Sequence, residues 1–562
     1  MTDLIHSLGR RARRRVTRRS RWLLAVLSVA ALAGVLVPAA MASAAPRPAA
    51  AGASASRCST QYLAAALHVP HVTVASAVLD TTGSYTPPGS TTPITGLPGF
   101  CAVDLTQADS AGNPIHTAVW LPVKWNGRFQ GIGGGGYSCG IYYAPEAGFV
   151  SPTLEEALKG GYASASTDCG NPVADAFTGT WGLKPDGQLN WPLITDWASA
   201  GIHDMTVAGK AVTQAYYPGK LAYSYFNGCS TGGREALEEA QQYPDDYNGI
   251  VSGSPAINWP SWVPAAIWPA LVMNQMHDAL PTCKEDAFTN AVVKACGTRG
   301  VITNPAACNW NADRLIGVKT PCGTITATDA AVMNKIWQGP VSTGGRRLWY
   351  GLARGASLDY LGATSTVGGV TTPEPFSIPL GWLGEWLKHN PDWNWKTMSY
   401  AQFDRLFTQS VGEFSSLVAT NNPDLRAFNE HGGKILIWAG TADGLINPQG
   451  IIQYYKNVQQ TMGGAAATNS FARLFLAPGA GHCANGAGPA PTDPVAAVVK
   501  WVEHGQAPQT IPATLTNSAG AAILSWPICA YPQVASYTGH GSPSQARNYT
   551  CASPRAGTGK GA

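Results

Sequence analysis

From Thr117 onward, short apolar runs alternate with stretches of helical periodicity, the pattern of strands and helices taken in turn. Residues 222–226 read as a strand, 233–242 as a helix and 249–252 as the next strand. The alternation resumes far downstream, where 434–438 and 471–476 predict strands and Pro494–His504 a helix. Between about 256 and 430 it fades, and ten tryptophans crowd into the interval from Trp259 to Trp395. Their simplest role is the core of a second, smaller unit, because buried aromatics dominate cores; a few of them are candidates for lining an aromatic pocket. The fold class is therefore α/β, with a parallel-sheet domain split over 58–255 and 431–562 and an inserted domain at 256–430. Such a length exceeds one ordinary core.

The N-terminal end follows no such pattern. Arginines crowd residues 10–21, an apolar stretch runs over 23–37, and Ala42-Ser43-Ala44 precedes Ala45. That order predicts a signal peptide over 1–44 and a Pro/Ala/Ser linker over 45–57. Thr17-Arg18-Arg19 faintly resembles a twin-arginine signal, which leaves the export route open. The apolar stretch is short for a membrane span, and nothing later has eighteen uninterrupted apolar residues, so a secreted protein without a membrane partner is expected. Residues 1–44 hold eight arginines against one aspartate, so removing that +7 turns the formal +4 of the whole chain into about −3. No electrostatic case for nucleic acid survives.

All twelve cysteines lie beyond the leader, and in an exported chain they predict disulfides before free thiols or metal. None is spaced as CxxC, which disfavours zinc. Proximity along the chain suggests Cys58 with Cys101, Cys139 with Cys169, Cys296 with Cys308 and Cys529 with Cys551.

Gly228-Cys229-Ser230-Thr231-Gly232 fits GxSxG, the turn that exposes a nucleophilic serine between strand and helix. The pattern is common by chance in a glycine-rich chain; its setting, with the 222–226 strand before it and a helix after it, gives it weight. An acid is expected at the end of a later strand, and Asp443 follows 434–438. A base is expected in a loop after the last strands, and His482 lies in Gly479-Ala480-Gly481-His482-Cys483. Serine, aspartate and histidine in that chain order match an α/β-hydrolase and neither of the two major serine-protease orders. Each of Ser230 and His482 has a cysteine neighbour. If the two side chains meet, Cys229 and Cys483 come within bridging distance, and one disulfide clamps nucleophile to base. The oxyanion donors expected are the amide of Thr231 and one from Gly133, Gly134, Gly135 or Gly136, a run that follows the strand-like residues 129–132.

At these residues the chain resembles the tannase and feruloyl esterase family, which also includes hydrolases of mono(2-hydroxyethyl) terephthalate. The carriers are WNGRF with GGGG, GYASASTDCG, HDMTVAGKA, GCSTGGREAL, AGTADGLI, GAGHC and CAYPQVASYTG, spread over nearly all of the mature chain. The resemblance implies an α/β-hydrolase core, a lid domain at the insertion, a Ser230–Asp443–His482 triad and a Cys229–Cys483 disulfide. Family members usually hold calcium in the lid through an aspartate-rich loop between two cysteines. Here the similar stretch, Cys296 to Cys308, contains no carboxylate, so neither calcium nor any other cofactor is expected.

The activity implied is that of a serine esterase acting on esters of aromatic acids, such as hydroxycinnamates or gallates, free or linked to polysaccharide. A terephthalate monoester hydrolase is the alternative within the family. Outside it stands a non-catalytic binder of polyphenol or carbohydrate on a hydrolase scaffold. Arg346 and Arg347 are candidates for meeting an acidic substrate.

Overall fold

The computed structural model describes residues 56–145, 152–171 and 175–553. The expected signal peptide and most of the linker lie outside them. Nine strands form one sheet: β1 (Val72–Asp80), β2 (Phe100–Ala108), β3 (Pro114–Pro122), β4 (Arg128–Ile132), β5 (Ala163–Thr167), β6 (Tyr223–Cys229), β7 (Gly249–Gly253), β8 (Lys434–Gly440) and β9 (Ala472–Ala477). Their order is β1-β2-β3-β5-β4-β6-β7-β8-β9. The first three pair antiparallel and β3 meets β5 antiparallel, whereas every pair from β5 to β9 is parallel. The central parallel strands are covered on both faces: β7 is buried throughout, and β8, whose residues 435–439 form an unbroken apolar run, everywhere but its first residue.

The helices of eight residues or more are α1 (Gly201–Tyr216), α2 (Thr231–Gln242), α3 (Trp259–Ala266), α4 (Trp268–Met276), α5 (Thr282–Cys296), α6 (Ala327–Gln338), α7 (Tyr400–Val418), α8 (Pro448–Thr461) and α9 (Pro494–His504). α1, α2 and α9 pack on the sheet. Local signals set their ends: Asp493 accepts the Ala496 amide at 2.8 Å, Pro494 opens α9, and Gly505 closes it in the left-handed region. Among the described residues, no helix is long and apolar enough to cross a membrane.

The predicted strands and helices of the split sheet appear in place, each within three residues of the expected bounds. The insertion is largely helical, α3 to α7, with short hairpins between. Its tryptophans do not build a separate core. Trp259 packs edge-on against Trp197 of the sheet domain at 5.0 Å between ring centroids, and Trp386 lies 5.8 Å from Tyr137. Buried residues of the insertion and of the sheet domain belong to one hydrophobic cluster.

All twelve cysteines are paired. The four local pairs and Cys229–Cys483 are as the sequence suggested. The sixth, Cys283–Cys322, joins α5 to a two-strand ribbon and was not anticipated.

Candidate active site

Ser230 stands at the end of β6 and opens α2, with φ 63° and ψ −121°, a region that non-glycine residues rarely enter and that costs about 1–3 kcal/mol. Backbone bonds over-determine it. Its N–H donates to Gly253 O at 3.0 Å, and its carbonyl accepts from Arg234 and Ala256, both at 3.0 Å. The flanking glycine is required by contact: a Cβ on Gly228 would lie 2.2 Å from Gly232 O. The sharp turn therefore leaves the Ser230 side chain partly exposed above the sheet.

Asp443 lies three residues beyond β8, and its side chain has no exposure. One carboxylate oxygen accepts the amides of Leu445 and Ile446 at 2.9 and 2.8 Å. The other meets His482 Nδ1 at 2.9 Å. His482 lies in the loop after β9, with its side chain 11% exposed. With Nδ1–H donated to the carboxylate, Nε2 is left as the acceptor nitrogen. The Cys229–Cys483 disulfide spans 254 residues of sequence and sets the two Cα atoms 5.9 Å apart, so the residues beside them, Ser230 and His482, are covalently held as neighbours. All three side chains rise from the carboxyl ends of parallel strands, where open α/β sheets place their sites.

The glycine run is laced to the start of α2. Gly232 N–H donates to Gly134 O at 2.9 Å, the Thr231 hydroxyl donates to Gly136 O at 2.5 Å, and Gly134 N–H donates to Glu235 Oε2 at 3.0 Å. Gly133 is glycine because a Cβ there would sit 2.7 Å from that carboxyl oxygen. Within the expected glycine run the amides differ in what they are free to do. The amides of Gly133, Gly134 and Gly135 are already given to Asn227 O, Glu235 and Ser138 O, whereas among the described residues those of Gly136 and Thr231 have no acceptor.

Glu235 is the residue that motif reading missed. It is fully buried, and burial pushes its carboxyl up to about 8 despite the opposing pull of Arg234 and the Gly134 N–H. Arg234 is buried beside it, donating to the carbonyls of Ala198 and Trp197 at 2.7 and 2.8 Å with its guanidinium over the Trp197 ring. A signal existed: Thr231 and Glu235 are four apart on one helix and so share a face.

Arg346 and Arg347 fall in a turn where Ser342 N–H donates to Arg346 O at 2.7 Å. Arg347 borders an open cavity of about 880 Å³ shared with Asn334, Tyr350, Arg354 and Gln449. Among the described residues no hydrogen bond or ion pair joins either arginine to Ser230, Asp443 or His482. Trp262, Trp268 and Trp349 surround a much smaller space, about 20 Å³, that reaches Asp443. The Cys296–Cys308 loop has no carboxylate to offer a cation, and its Ile302 carbonyl is taken by the Thr441 hydroxyl at 2.7 Å, so its donors do not suit calcium.

The sheet, the serine turn and the buried carboxylate–imidazole pair define the class: this is an α/β hydrolase. The family model for tannase and feruloyl esterase matches residues 101–552. A probable feruloyl esterase of Arthroderma benhamiae is 41% identical over 482 residues, covering 83% of this chain and 88% of that one. The mono(2-hydroxyethyl) terephthalate hydrolase of Piscinibacter sakaiensis is 29% identical over 539 residues, covering 82% and 85%. The crystal structure of feruloyl esterase B from Aspergillus oryzae superposes with a TM-score of 0.75 at 25% identity, covering 88% of this chain and 100% of that one. The chain belongs to the tannase and feruloyl esterase family and is a carboxylic ester hydrolase.

Proposed function

We propose that the protein is a secreted serine esterase that cleaves esters of aromatic acids, of the hydroxycinnamate or gallate type, through an acyl-enzyme. The observation that carries this reading is the 2.9 Å contact between His482 and Asp443 on the loop that the Cys229–Cys483 bridge ties to the Ser230 turn. His482 Nε2 removes the Ser230 proton as Oγ attacks the ester carbonyl, and Asp443 orients the imidazole and offsets its positive charge. The free amides of Thr231 and Gly136 receive the oxyanion. His482 then protonates the departing alcohol, and water, activated by the same nitrogen, releases the acid.

The acyl preference rests on the 41% identity to the probable feruloyl esterase, against 29% to the terephthalate monoester hydrolase. Six disulfides support secretion. The carboxylate-free Cys296–Cys308 loop supports catalysis without calcium. Methyl ferulate, methyl gallate and mono(2-hydroxyethyl) terephthalate, offered in competition, test the substrate: ferulate or gallate is expected to have the highest kcat/KM, and preference for the terephthalate ester would overturn the assignment. Ser230→Ala is expected to lower kcat by at least about 10⁴-fold. A folded Ser230→Ala protein with undiminished turnover would remove the serine mechanism, and a wild-type protein that binds these esters without cleaving them would be the non-catalytic binder.

A further inference from the structure

Two residues before Asp443 lies Thr441, a buried side chain outside the carboxylate–imidazole pair. Its hydroxyl does two things at once. It donates to Ile302 O at 2.7 Å, and it accepts the Gly479 N–H at 2.8 Å. Gly479 stands three residues before His482. Ile302 belongs to the loop closed by Cys296 and Cys308, whose Cα atoms are 5.7 Å apart. One hydroxyl thus joins the acid-bearing loop, the base-bearing loop and the inserted segment.

The loop is seated to make this contact. Thr298 N–H donates to Val301 O at 2.9 Å and Val301 N–H returns to Thr298 O at 3.3 Å, so the short bridge is closed from both sides. Val301 is buried against Gly479: a Cβ on that glycine would lie 2.2 Å from Val301 Cγ1, and its φ of +72° would strain any side chain there as well. On the outer side, the Arg299 guanidinium lies over the Tyr537 ring at 4.1 Å and within 5.7 Å of the Tyr549 ring, the two strands of the hairpin that Cys529–Cys551 closes at its other end. The loop is therefore fixed by a disulfide, by packing and by a cation over aromatic rings before it offers its carbonyl to Thr441.

We propose that the Cys296–Cys308 loop positions the acid and base of the ester-cleaving site, acting through the Thr441 hydroxyl as a two-way relay. The proposal rests on the esterase reading above. Thr441 touches no substrate in this scheme and is a positioning residue. Its loss leaves the Ile302 carbonyl and the Gly479 N–H buried without partners, and the two loops then drift relative to Ser230, an error to which turnover is far more sensitive than binding.

The test compares Thr441→Val, which keeps the shape and removes the hydroxyl, with Thr441→Ser, which keeps the hydroxyl. Functional sites are first counted with a serine-directed phosphonate, so that kcat refers to competent enzyme. Thr441→Val is expected to lower kcat about 10- to 100-fold with KM within about threefold, and Thr441→Ser to stay within about threefold of wild type. Wild-type kcat per titrated site in Thr441→Val, or an equal loss in both variants, overturns the relay. Should Thr441→Val fail to fold, the Cys296→Ser/Cys308→Ser double variant decides by the same criterion, because an opened loop is expected to give the same selective loss of kcat. Ester turnover by wild type and its loss in Ser230→Ala keep the esterase reading standing even when the relay fails. Absence of turnover in wild type sinks both.

Discussion

The nucleophile and the acid–base pair sit at the ends of nearby strands but are held by different means. Ser230 is fixed by backbone bonds to residues within about thirty positions, Gly253, Arg234 and Ala256, on the β6–α2–β7 unit. Asp443 and His482 stand on separate loops that are joined to each other by Ala442 N–H to Ala480 O at 3.0 Å and by the Thr441 hydroxyl, and to the serine side by one disulfide. The nucleophile's conformation is thus a local property of the chain, and the geometry of the pair depends on long-range ties. Damage to a distant tie should therefore reach the pair and spare the serine turn.

The strongest way to break this contrast is to cut the bridge. In the chain-entropy model a link closing 254 residues stabilises by about 5.5 kcal/mol, against about 3.4 kcal/mol for the 22-residue Cys529–Cys551 loop. Cys229→Ser/Cys483→Ser is expected to lower the urea midpoint more than Cys529→Ser/Cys551→Ser does. It should also lower kcat, because the histidine loop is no longer held beside Ser230. Equal midpoints and full activity would show that the loops hold themselves in place.

On the serine side the corresponding tie is Glu235. Glu235→Leu leaves the buried Gly134 N–H without an acceptor, a defect of about 1–3 kcal/mol, and is expected to lower kcat about 10-fold by loosening the glycine run over Ser230. Glu235→Gln keeps an acceptor oxygen and should remain within about threefold of wild type. Steady-state kinetics on methyl ferulate separate the two, and an unaffected Leu variant would show that the Gly232 and Thr231 bonds suffice.

The same contrast explains what could be read from the chain. The strands on either side of Ser230 were legible because short runs rich in aromatic and β-branched residues flank a helical stretch, and the turn because its crowding demands glycine at Gly228 and Gly232. Cys229 and Cys483 were legible because each adjoins a reactive residue. The relay was not: Thr441 bonds a backbone carbonyl 139 residues away, and any residue type at Ile302 could supply it. Glu235 was hidden for another reason, since a glutamate on a helix ordinarily faces water and only its partner loop turns it inward. The packing partners of the tryptophans were not legible: Trp259 of the insertion meets Trp197 of the sheet domain, and ring chemistry alone does not say which ring another will face.

The smallest expected effect sharpens the comparison through pH. Glu235 in the sheet domain and Glu285 in the insertion are both pushed up to about 8, first by burial; Asp359 and Asp286 add to the rise at Glu285, while Arg234 opposes it at Glu235. In the unfolded chain both carboxyls ionise near the ordinary value, about 4.3, so between there and about 8 the folded state binds more protons than the unfolded one. Stability from these groups is fully present below pH 4 and is lost as pH rises to 8. Glu235→Gln and Glu285→Gln should each match wild type in urea midpoint near pH 4 and exceed it at pH 8. A gain in one variant alone would show that only that side of the molecule keeps its carboxyl dry, and no gain in either would mean that water reaches both.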